Sequence, residues 1–572
     1  MYGFIGVFNP NGGVLNDPII CEAHSDCVFV QNEVSDAHLV LKRLTINKFI
    51  NDKILFDDNE VLILVEGVIF NFIELEEKYN CKNRGQLLKN ILIGKSIKLF
   101  ASELNGYFAG VVFDKRESKI YLIADHISYR TLWYAVFNGT LFFGTDIDWL
   151  YRTISKNGYD LKLDYDGAYC LLNHGYMLGD ITPVMNVKKL LAGNVLLYSA
   201  EKIEIQTYYN VTFNSEEKLI TDDLLEEIDY AFSNAVLRAY KKDDEYGYKH
   251  CITLSGGLDS RLVLFMAKRL GFDTLCITMG EAGCPDILIS SKICDKLRQE
   301  HLVYELNNGI FLLDFDSALI ANGGTILSPG FLHSFRLSSL ANLNGYGLLH
   351  TGDLGDLILG GSFLSCESGG TIDISTKIYA TSFIDGFSDE FKKCETNRYD
   401  NQATFNYYNR GLNSAGNGCF AAQFFTECSA PFIDKELLNI ISKTSKAELI
   451  DHKLYINYMK KFLPNSCEFI WEATGCKPTE SNFRRQLVRY RRGFNRRILH
   501  KNDSMNPFEY YYDHNPSIRN YFEQIYNSGK TMLKNNLSVK RYVETRWTSN
   551  RVMDKSLSIT LILLMKKYGV KL

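Results

Sequence analysis

Two short stretches of this chain carry residue types at spacings from which phosphate chemistry can be built. The first is Leu254-Ser255-Gly256-Gly257-Leu258-Asp259-Ser260-Arg261. A polyphosphate needs unhindered backbone N–H donors. Two adjacent glycines let the main chain pass close to it, and Ser255 and Ser260 add hydroxyl donors. A helix opening at Asp259 aims the positive end of its dipole at the same place. Phosphate repels the Asp259 carboxylate unless a cation such as Mg2+ lies between them, so the turn implies a metal bridge. It is neither a Walker A loop, since no Gly-Lys-Ser/Thr follows, nor a GxGxxG turn. The second stretch is Thr351-Gly352-Asp353-Leu354-Gly355-Asp356-Leu357-Ile358-Leu359-Gly360-Gly361. Carboxylates at i and i+3 on a glycine-bearing loop can converge on a cation, or divide into a metal ligand and a base.

These turns need a rigid frame. From about residue 220 the pattern alternates helix and strand: an amphipathic helix over 222–241, a strand over 250–254, a helix over 259–270, a strand over 274–279, a helix over 285–297 and a strand over 301–306. Such βαβ alternation predicts a parallel sheet, with the first turn at a strand's carboxyl end, where open α/β sheets bind ligands. Before about residue 205 short β-like runs dominate, at 4–8, 61–65, 110–113, 120–124, 132–136, 141–143 and 194–198, with turn-formers such as Asn138-Gly139 between them. The fold class expected is therefore α/β in two parts. An antiparallel β-rich domain covers 1–205, and a parallel-sheet domain with a helical C-terminal part covers 220–480, joined by a polar linker at 201–218. A helical, basic extension is expected at 481–572.

The composition excludes several classes. A chain of 572 residues, 46% hydrophobic and 23% charged, is long and apolar enough for several cores, which rules out wholesale disorder or a fibre. With 63 Lys+Arg against 67 Asp+Glu, no global field draws it to nucleic acid or an anionic membrane. The 14 cysteines are scattered without a CxxC pair, so buried, reduced thiols are expected. The start, Met1-Tyr2-Gly3-Phe4, lacks a basic n-region, and the apolar run 559–565 falls far short of the ~20 residues needed to cross a bilayer. A cytoplasmic protein is expected. One local charge run, Arg484-Arg485, Arg489, Arg491-Arg492 and Arg496-Arg497, reads either as a basic helix face for phosphates or an acidic substrate, or as a solvated surface.

Ser255 to Ser260 resemble the SGGxDS pyrophosphate loop of the N-type ATP pyrophosphatases. Together the two turns resemble the synthetase domain of the asparagine synthetase superfamily, which includes β-lactam synthetases and lasso-peptide cyclases. The family pattern G-E-G-x-D-E-x-x-G-G stands here as Gly352 to Gly361, and Pro431-Phe432-Ile433-Asp434 resembles its PFLD, four places after Glu427. The first half resembles the class II glutamine amidotransferase (Ntn-hydrolase-like, αββα) fold. It does so at Glu66-Gly67-Val68-Ile69-Phe70-Asn71-Phe72, Leu104-Asn105-Gly106-Tyr107-Phe108-Ala109, Asp125 to Tyr134 and Phe143-Gly144-Thr145-Asp146. The departures are as telling. The catalytic N-terminal cysteine of that class is replaced by Tyr2, and its glutamine-gripping Asn and Glu fall on Glu66 and Val68. The resemblance thus implies a glutaminase fold without glutaminase chemistry.

The resemblance further implies ATP and Mg2+ as cofactors. Ser255, Gly256, Gly257, Asp259 and Ser260 are expected around the pyrophosphate, and Gly352 is expected to bind the cofactor as well. Leu254, Ile277, Thr278 and Met279 are expected around adenine, with Asp259 and Asp356 on Mg2+. Asp353 occupies the family's base position, Glu427 is the reserve base, and Lys477 is the expected transition-state cation. The activity implied is AMP-forming amide ligation of a carboxylate to an amine, closest in logic to peptide or β-lactam cyclases. Its partner is a small-molecule or peptide substrate, with a precursor peptide or pathway partner in view, and neither nucleic acid nor membrane. Ammonia-dependent amidation of an amino acid or sugar uronate, tRNA thiolation and an inactive scaffold are the alternatives weighed.

Overall fold

The structure, a computed structural model, describes residues 2–572 apart from 14–18, 24–26, 28, 201, 214–217, 362–370, 482, 486, 489 and 492–503. The first half contains β1 (Gly3–Phe8), β2 (Phe29–Ser35), β3 (Leu39–Ile46), β4 (Leu55–Asp57), β5 (Val61–Ile69), β6 (Gly106–Asp114), β7 (Lys119–Ala124), β8 (Trp133–Phe137), β9 (Thr140–Gly144), β10 (Lys188–Lys189), β11 (Asn194–Ser199) and β12 (Lys202–Thr207). They form two six-stranded antiparallel sheets, in the orders β10-β8-β9-β1-β3-β2 and β12-β11-β7-β6-β5-β4. The period of two along each strand sends Phe4, Phe8, Leu39 and Leu41 from one sheet to meet Leu62, Leu64, Val111 and Phe113 from the other. Helices cover the outer faces. The helix Arg84–Gly94 lays Leu87, Leu88 and Ile91 into the core that holds Val61, Ile63 and Val65, and the helix Ile147–Lys156 sits over the other sheet. The result is the expected helix–sheet–sheet–helix sandwich.

Local chemistry explains the hairpins that the sequence announces. Asn138 (φ 47°) and Gly139 (φ 74°) both take left-handed backbone between β8 and β9, the two-residue turn whose twist matches paired strands. The strands β2, β3, β4, β10 and β12 were not expected. In β3 the apolar run is interrupted by Lys42 and Arg43, yet Arg43 is buried because Glu66 of β5 neutralises it at 3.0 Å. The linker expected at 201–218 is corrected as well, since its first part is β12, paired with β11 along its whole length.

The second half holds β13 (Lys249–Thr253), β14 (Thr274–Gly280), β15 (His301–Glu305), β16 (Tyr346–His350) and β17 (Cys428–Ser429), all parallel, in the order β15-β14-β13-β16-β17. β14 is buried throughout, as a strand covered on both faces must be. The helices Asp222–Glu245, Asp259–Arg269 and Pro285–Leu297 follow the sequence pattern closely. The central neighbours β13 and β16 end side by side, so the two chemistry-bearing turns emerge together.

The expected extension at 481–572 is not a separate appendage. The helix Val552–Tyr568 buries Leu557, Ile559, Leu561 and Leu564, and packs against the helices Pro516–Gly529 and Leu537–Trp547 and against Tyr165–His174 of the first half. Arg546 Nε donates to the Leu172 carbonyl at 2.8 Å, and the Tyr568 hydroxyl donates to Asp148 at 2.9 Å. The apolar run 559–565 is thus the inside of a packed helix. Among the described residues no helix is long and apolar enough to cross a membrane. Of the arginine run, Arg484 and Arg491 are exposed and Arg485 is half-buried, while Arg489, Arg492, Arg496 and Arg497 lie outside the described residues.

Candidate active site

β13 delivers Leu254 to the carboxyl edge of the sheet, and the chain turns through Ser255-Gly256-Gly257-Leu258 into the helix Asp259–Arg269. The turn is held from within. Ser255 N–H donates to Ser260 Oγ at 3.0 Å, Gly257 N–H to Ser255 Oγ at 3.2 Å, and Gly256 N–H to Asp286 Oδ1 at 2.9 Å. Neither glycine has positive φ. Gly256 is required by crowding, because a Cβ there would lie 2.9 Å from Glu472 Cβ and 3.1 Å from Ile289. Beneath the turn lies Arg261, whose side chain donates to the carbonyls of Gly256 (3.0 Å), Ile470 (2.6 Å), Ser466 and Phe469 (both 3.3 Å). Burial pulls its pKa down to about 10. Arg261 stands in the quoted motif, yet its role was invisible there because every partner except Gly256 is some two hundred residues away.

The second turn interlocks with the first. A Cβ on Gly352 would stand 2.2 Å from Ser260 N, and one on Gly355 2.8 Å from Asp259 Cγ, so only glycine admits this approach. Between them Leu354 adopts φ +67°, strained backbone for a side chain of its size. Asp353 is fixed by Cys419 N–H, which donates to its Oδ2 at 3.1 Å, and burial raises its pKa. Asp259 lies beside Asp356. Burial, then the Asp356 charge, push the Asp259 pKa up to about 7, against the opposing pull of the Tyr455 hydroxyl (2.8 Å) and Asp356 N–H. His452 Nε2 is bonded to Asp356 Oδ1 and meets Trp471 edge-on at 4.8 Å between ring centres. Asp451 and His452 both have positive φ, 57° and 61°, a doubly strained corner that no sequence pattern announced.

Around these groups is a cavity of about 370 Å³, large enough for a nucleotide-sized ligand. Of the expected residues, Leu254, Ser255, Asp259, Ser260, Ile277, Met279, Gly352, Asp353 and Asp356 line it. Others do not. Thr278 is turned away because alternate residues of β14 face opposite sides, and its hydroxyl donates to Leu254 O at 2.7 Å on the face of Ser290 and His301. Gly256 and Gly257 are not among the described lining residues. Lys477 is exposed and is not among the described lining residues. Glu427 is corrected outright as a reserve base, since its carboxylate is bound by Lys53 at 2.7 Å and Arg130 at 2.9 Å, away from the cavity.

That ion pair belongs to a buried cluster formed by the first half together with Glu427. Glu66 accepts from Arg43 at 3.0 Å and Arg130 at 3.0 Å, with Lys53 at 3.8 Å and the Thr45 hydroxyl also bonded to it. Arg130 also donates to the Tyr2 carbonyl at 2.9 Å. The Tyr2 ring is fully buried, 4.4 Å from Phe29 and 6.3 Å from Phe424 between ring centres. This region is occupied by an aromatic ring and by three cations with two carboxylates.

The residues present fit Mg2+: two juxtaposed carboxylates supply hard oxygen ligands, and their mutual repulsion is what a divalent cation relieves. The fit with a polyphosphate is conditional on exchange, because Ser260 Oγ, Ser255 Oγ and Asp286 hold the turn's N–H donors in this conformation. One consequence is testable here. Gly352→Ala forces the two turns apart against backbone, and is expected to weaken binding of α,β-methylene-ATP with Mg2+ at least tenfold by titration calorimetry, with the circular dichroism spectrum unchanged.

An αββα sandwich joined to a parallel sheet whose central strand opens into a Ser-Gly-Gly-Leu-Asp-Ser turn defines a class: an amidotransferase-type fold fused to a nucleotide-binding synthetase fold. Family comparison agrees, with a glutamine amidotransferase domain matching residues 24–209 and asparagine synthase matching 227–416. The chain belongs to the asparagine synthetase superfamily. Among similar proteins are a putative asparagine synthetase (glutamine-hydrolyzing) 2 of Methanocaldococcus jannaschii and asparagine synthetase (glutamine-hydrolyzing) 1 of Bacillus subtilis. The first is 26% identical over 37% of this chain and 42% of its own, and the second is 23% identical over 53% and 50%. The chain therefore spans about half the length of the curated relatives it matches. Among solved structures, the glutamine phosphoribosylpyrophosphate amidotransferase of B. subtilis aligns over 53% of this chain and 84% of its own, at 9% identity and TM-score 0.25. The NH3-dependent NAD synthetase of Campylobacter jejuni aligns over 25% and 61%, at 20% identity and TM-score 0.19.

Proposed function

We propose that this protein is an ATP-dependent carbon–nitrogen ligase. It activates a substrate carboxylate by adenylylation, releasing pyrophosphate, and joins the acyl group to an amine with release of AMP. The observation that carries this reading is the interlocking of the two turns, which sets Asp259, Asp353 and Asp356 around one cavity at the carboxyl ends of β13 and β16. Leu254, Ile277 and Met279 offer an apolar wall for the base. Ser255 and Ser260 offer hydroxyl donors to the leaving pyrophosphate, reinforced by the amino end of the helix Asp259–Arg269. Asp259 and Asp356 would hold Mg2+, whose charge offsets that of the phosphates as the carboxylate attacks the α-phosphorus. Asp353, fixed by Cys419 N–H, is the acceptor for the proton that the amine loses.

The reading includes loss of glutaminase activity. Tyr2 supplies no thiolate, and Glu66 presents a carboxylate bound by three cations where an amide would have to be gripped. The nitrogen then comes from an amine substrate, as in cyclases, rather than from glutamine. The test is direct. With a low-molecular-weight metabolite extract as the source of acid and amine, the protein is expected to convert ATP to AMP and pyrophosphate. With glutamine alone it is expected to release no glutamate. Glutamate release at rates matching AMP formation would overturn this part of the reading.

A further inference from the structure

A second cavity of about 320 Å³ adjoins the nucleotide cavity, and the two share His333, Ser334, Asp353, Ala415 and Gly418 as walls. Its remaining walls are largely apolar: Ile326, Leu327, Phe331, Tyr379 and Met553, with glycine at 175 and 330 leaving room. Neither cavity has a lysine or arginine among its described lining residues. Arg410 is not among the described lining residues but contacts two of them, its guanidinium 4.6 Å from the centre of the Tyr379 ring and donating to Ser414 Oγ at 2.5 Å. The one carboxylate lining both cavities is Asp353, and Ser334 Oγ and Asp353 Oδ2 approach the same point above Gly418, 3.8 and 3.4 Å from where its Cβ would be. His333 Nε2 lies 3.3 Å from Ser334 Oγ, and burial pushes its pKa down to about 4, so it adds no positive charge near neutrality.

We propose that this second cavity binds the apolar body of an organic primary amine, with the amino group presented to Asp353, and that neither free ammonia nor an α-amino acid such as aspartate is the substrate it was shaped for. An α-carboxylate entering this space meets Asp353 with no lysine or arginine among the described lining residues to pair it, a like-charge contact without compensation there. Ammonia fills a small fraction of the space. An alkyl or aryl amine matches both features, since its hydrocarbon meets Phe331, Tyr379 and Met553 while its ammonium pairs with the carboxylate. The step balances simply. The ammonium gives one proton to Asp353, and the freed lone pair forms the N–C bond to the acyl carbon. The C–O bond to AMP breaks with its electron pair on the phosphate, and the second proton passes to solvent. This inference rests on the ligase reading above and names the substrate class for its amine.

Gly330 provides the cleanest probe. It is an exposed residue of the helix Ser328–Leu340 at the cavity's edge, and a Cβ there meets nothing within 4 Å, so Gly330→Leu adds bulk at the cavity mouth without a clash while suiting the helix better than glycine does. The experiment is calorimetric titration of phenethylamine, ammonium chloride and L-aspartate into the full chain, with α,β-methylene-ATP and Mg2+ titrated into the same preparations. Saturable phenethylamine binding is expected, at least tenfold weaker in Gly330→Leu and in Asp353→Asn, with nucleotide affinity unchanged in Gly330→Leu and no saturable binding of ammonium or aspartate. Equal phenethylamine affinity in wild type and Gly330→Leu, or saturable aspartate binding that Gly330→Leu removes, would overturn the proposal. Failure of the nucleotide to bind wild type removes the ligase reading instead, and the amine result is then judged by itself.

Discussion

Asp259→Asn and Asp356→Asn each fold normally and lose roughly three orders of magnitude in conversion of ATP to AMP, the scale on which removing a key electrostatic contact slows an enzyme. Both side chains serve one purpose. Their carboxylates share a cavity edge, where burial of Asp259 and then the Asp356 charge disfavour ionisation of Asp259. The amide is nearly isosteric, so the Tyr455 hydroxyl and Asp356 N–H keep partners and the turns stay interlocked. Thermal stability in chelator is therefore expected to stay level or rise in either variant, because one like-charge contact disappears. Loss of turnover together with loss of folding would point instead to a structural pair. The assay compares AMP formation from ATP in metabolite extract, at equal concentrations of protein verified by circular dichroism.

The largest effect on stability is expected at Arg130. Arg130→Ala leaves Glu66 and Glu427 facing each other in a dry interior with only Arg43 and Lys53 to offset them. Breaking a buried ion pair from one side costs about 3–5 kcal/mol, and the effect is read as a fall in the urea midpoint. Because Glu66 lies in the first half and Glu427 just before β17 of the second, the same substitution loosens the two halves from each other. Burial by itself would raise the Glu66 pKa, but Arg43, Lys53 and Arg130 more than reverse this and hold it at about 2. A depressed carboxylate contributes stability that is present above its unfolded pKa of about 4.5 and is lost as pH falls through about 2. Glu66→Gln should accordingly cost about 3 kcal/mol at pH 7, and the gap from wild type should narrow progressively below pH 4.5. A gap independent of pH would mean that packing, not charge, is what Glu66 supplies.

Much of the frame was legible because its signals are local. The helix Pro285–Leu297 is marked by a proline at its first turn and by its apolar spacing. The phosphate turn is marked by glycine, serine and aspartate within six residues. What stayed hidden depends on distant partners. Arg43 reads as a break in a strand until Glu66 is placed opposite it, and Glu427 reads as a spare acid until Arg130, 297 residues earlier, is found to bind it. The Thr278 side chain was misplaced because a motif names residues without saying which face of β14 they take. The His452 contact with Asp356 spans 96 residues and requires two left-handed positions in succession. The C-terminal helix was read for charge and for membrane crossing. Its apolar residues instead match a groove formed by three other helices.

On the reading proposed above, the two turns form a single Mg2+–nucleotide site. Calorimetric titration of α,β-methylene-ATP into wild type and Asp356→Asn, each with Mg2+ and with chelator, tests it most directly. One site per chain is expected in wild type, dependent on Mg2+, and at least tenfold weaker in Asp356→Asn. Binding of equal strength in both proteins, or in the absence of Mg2+, would contradict it.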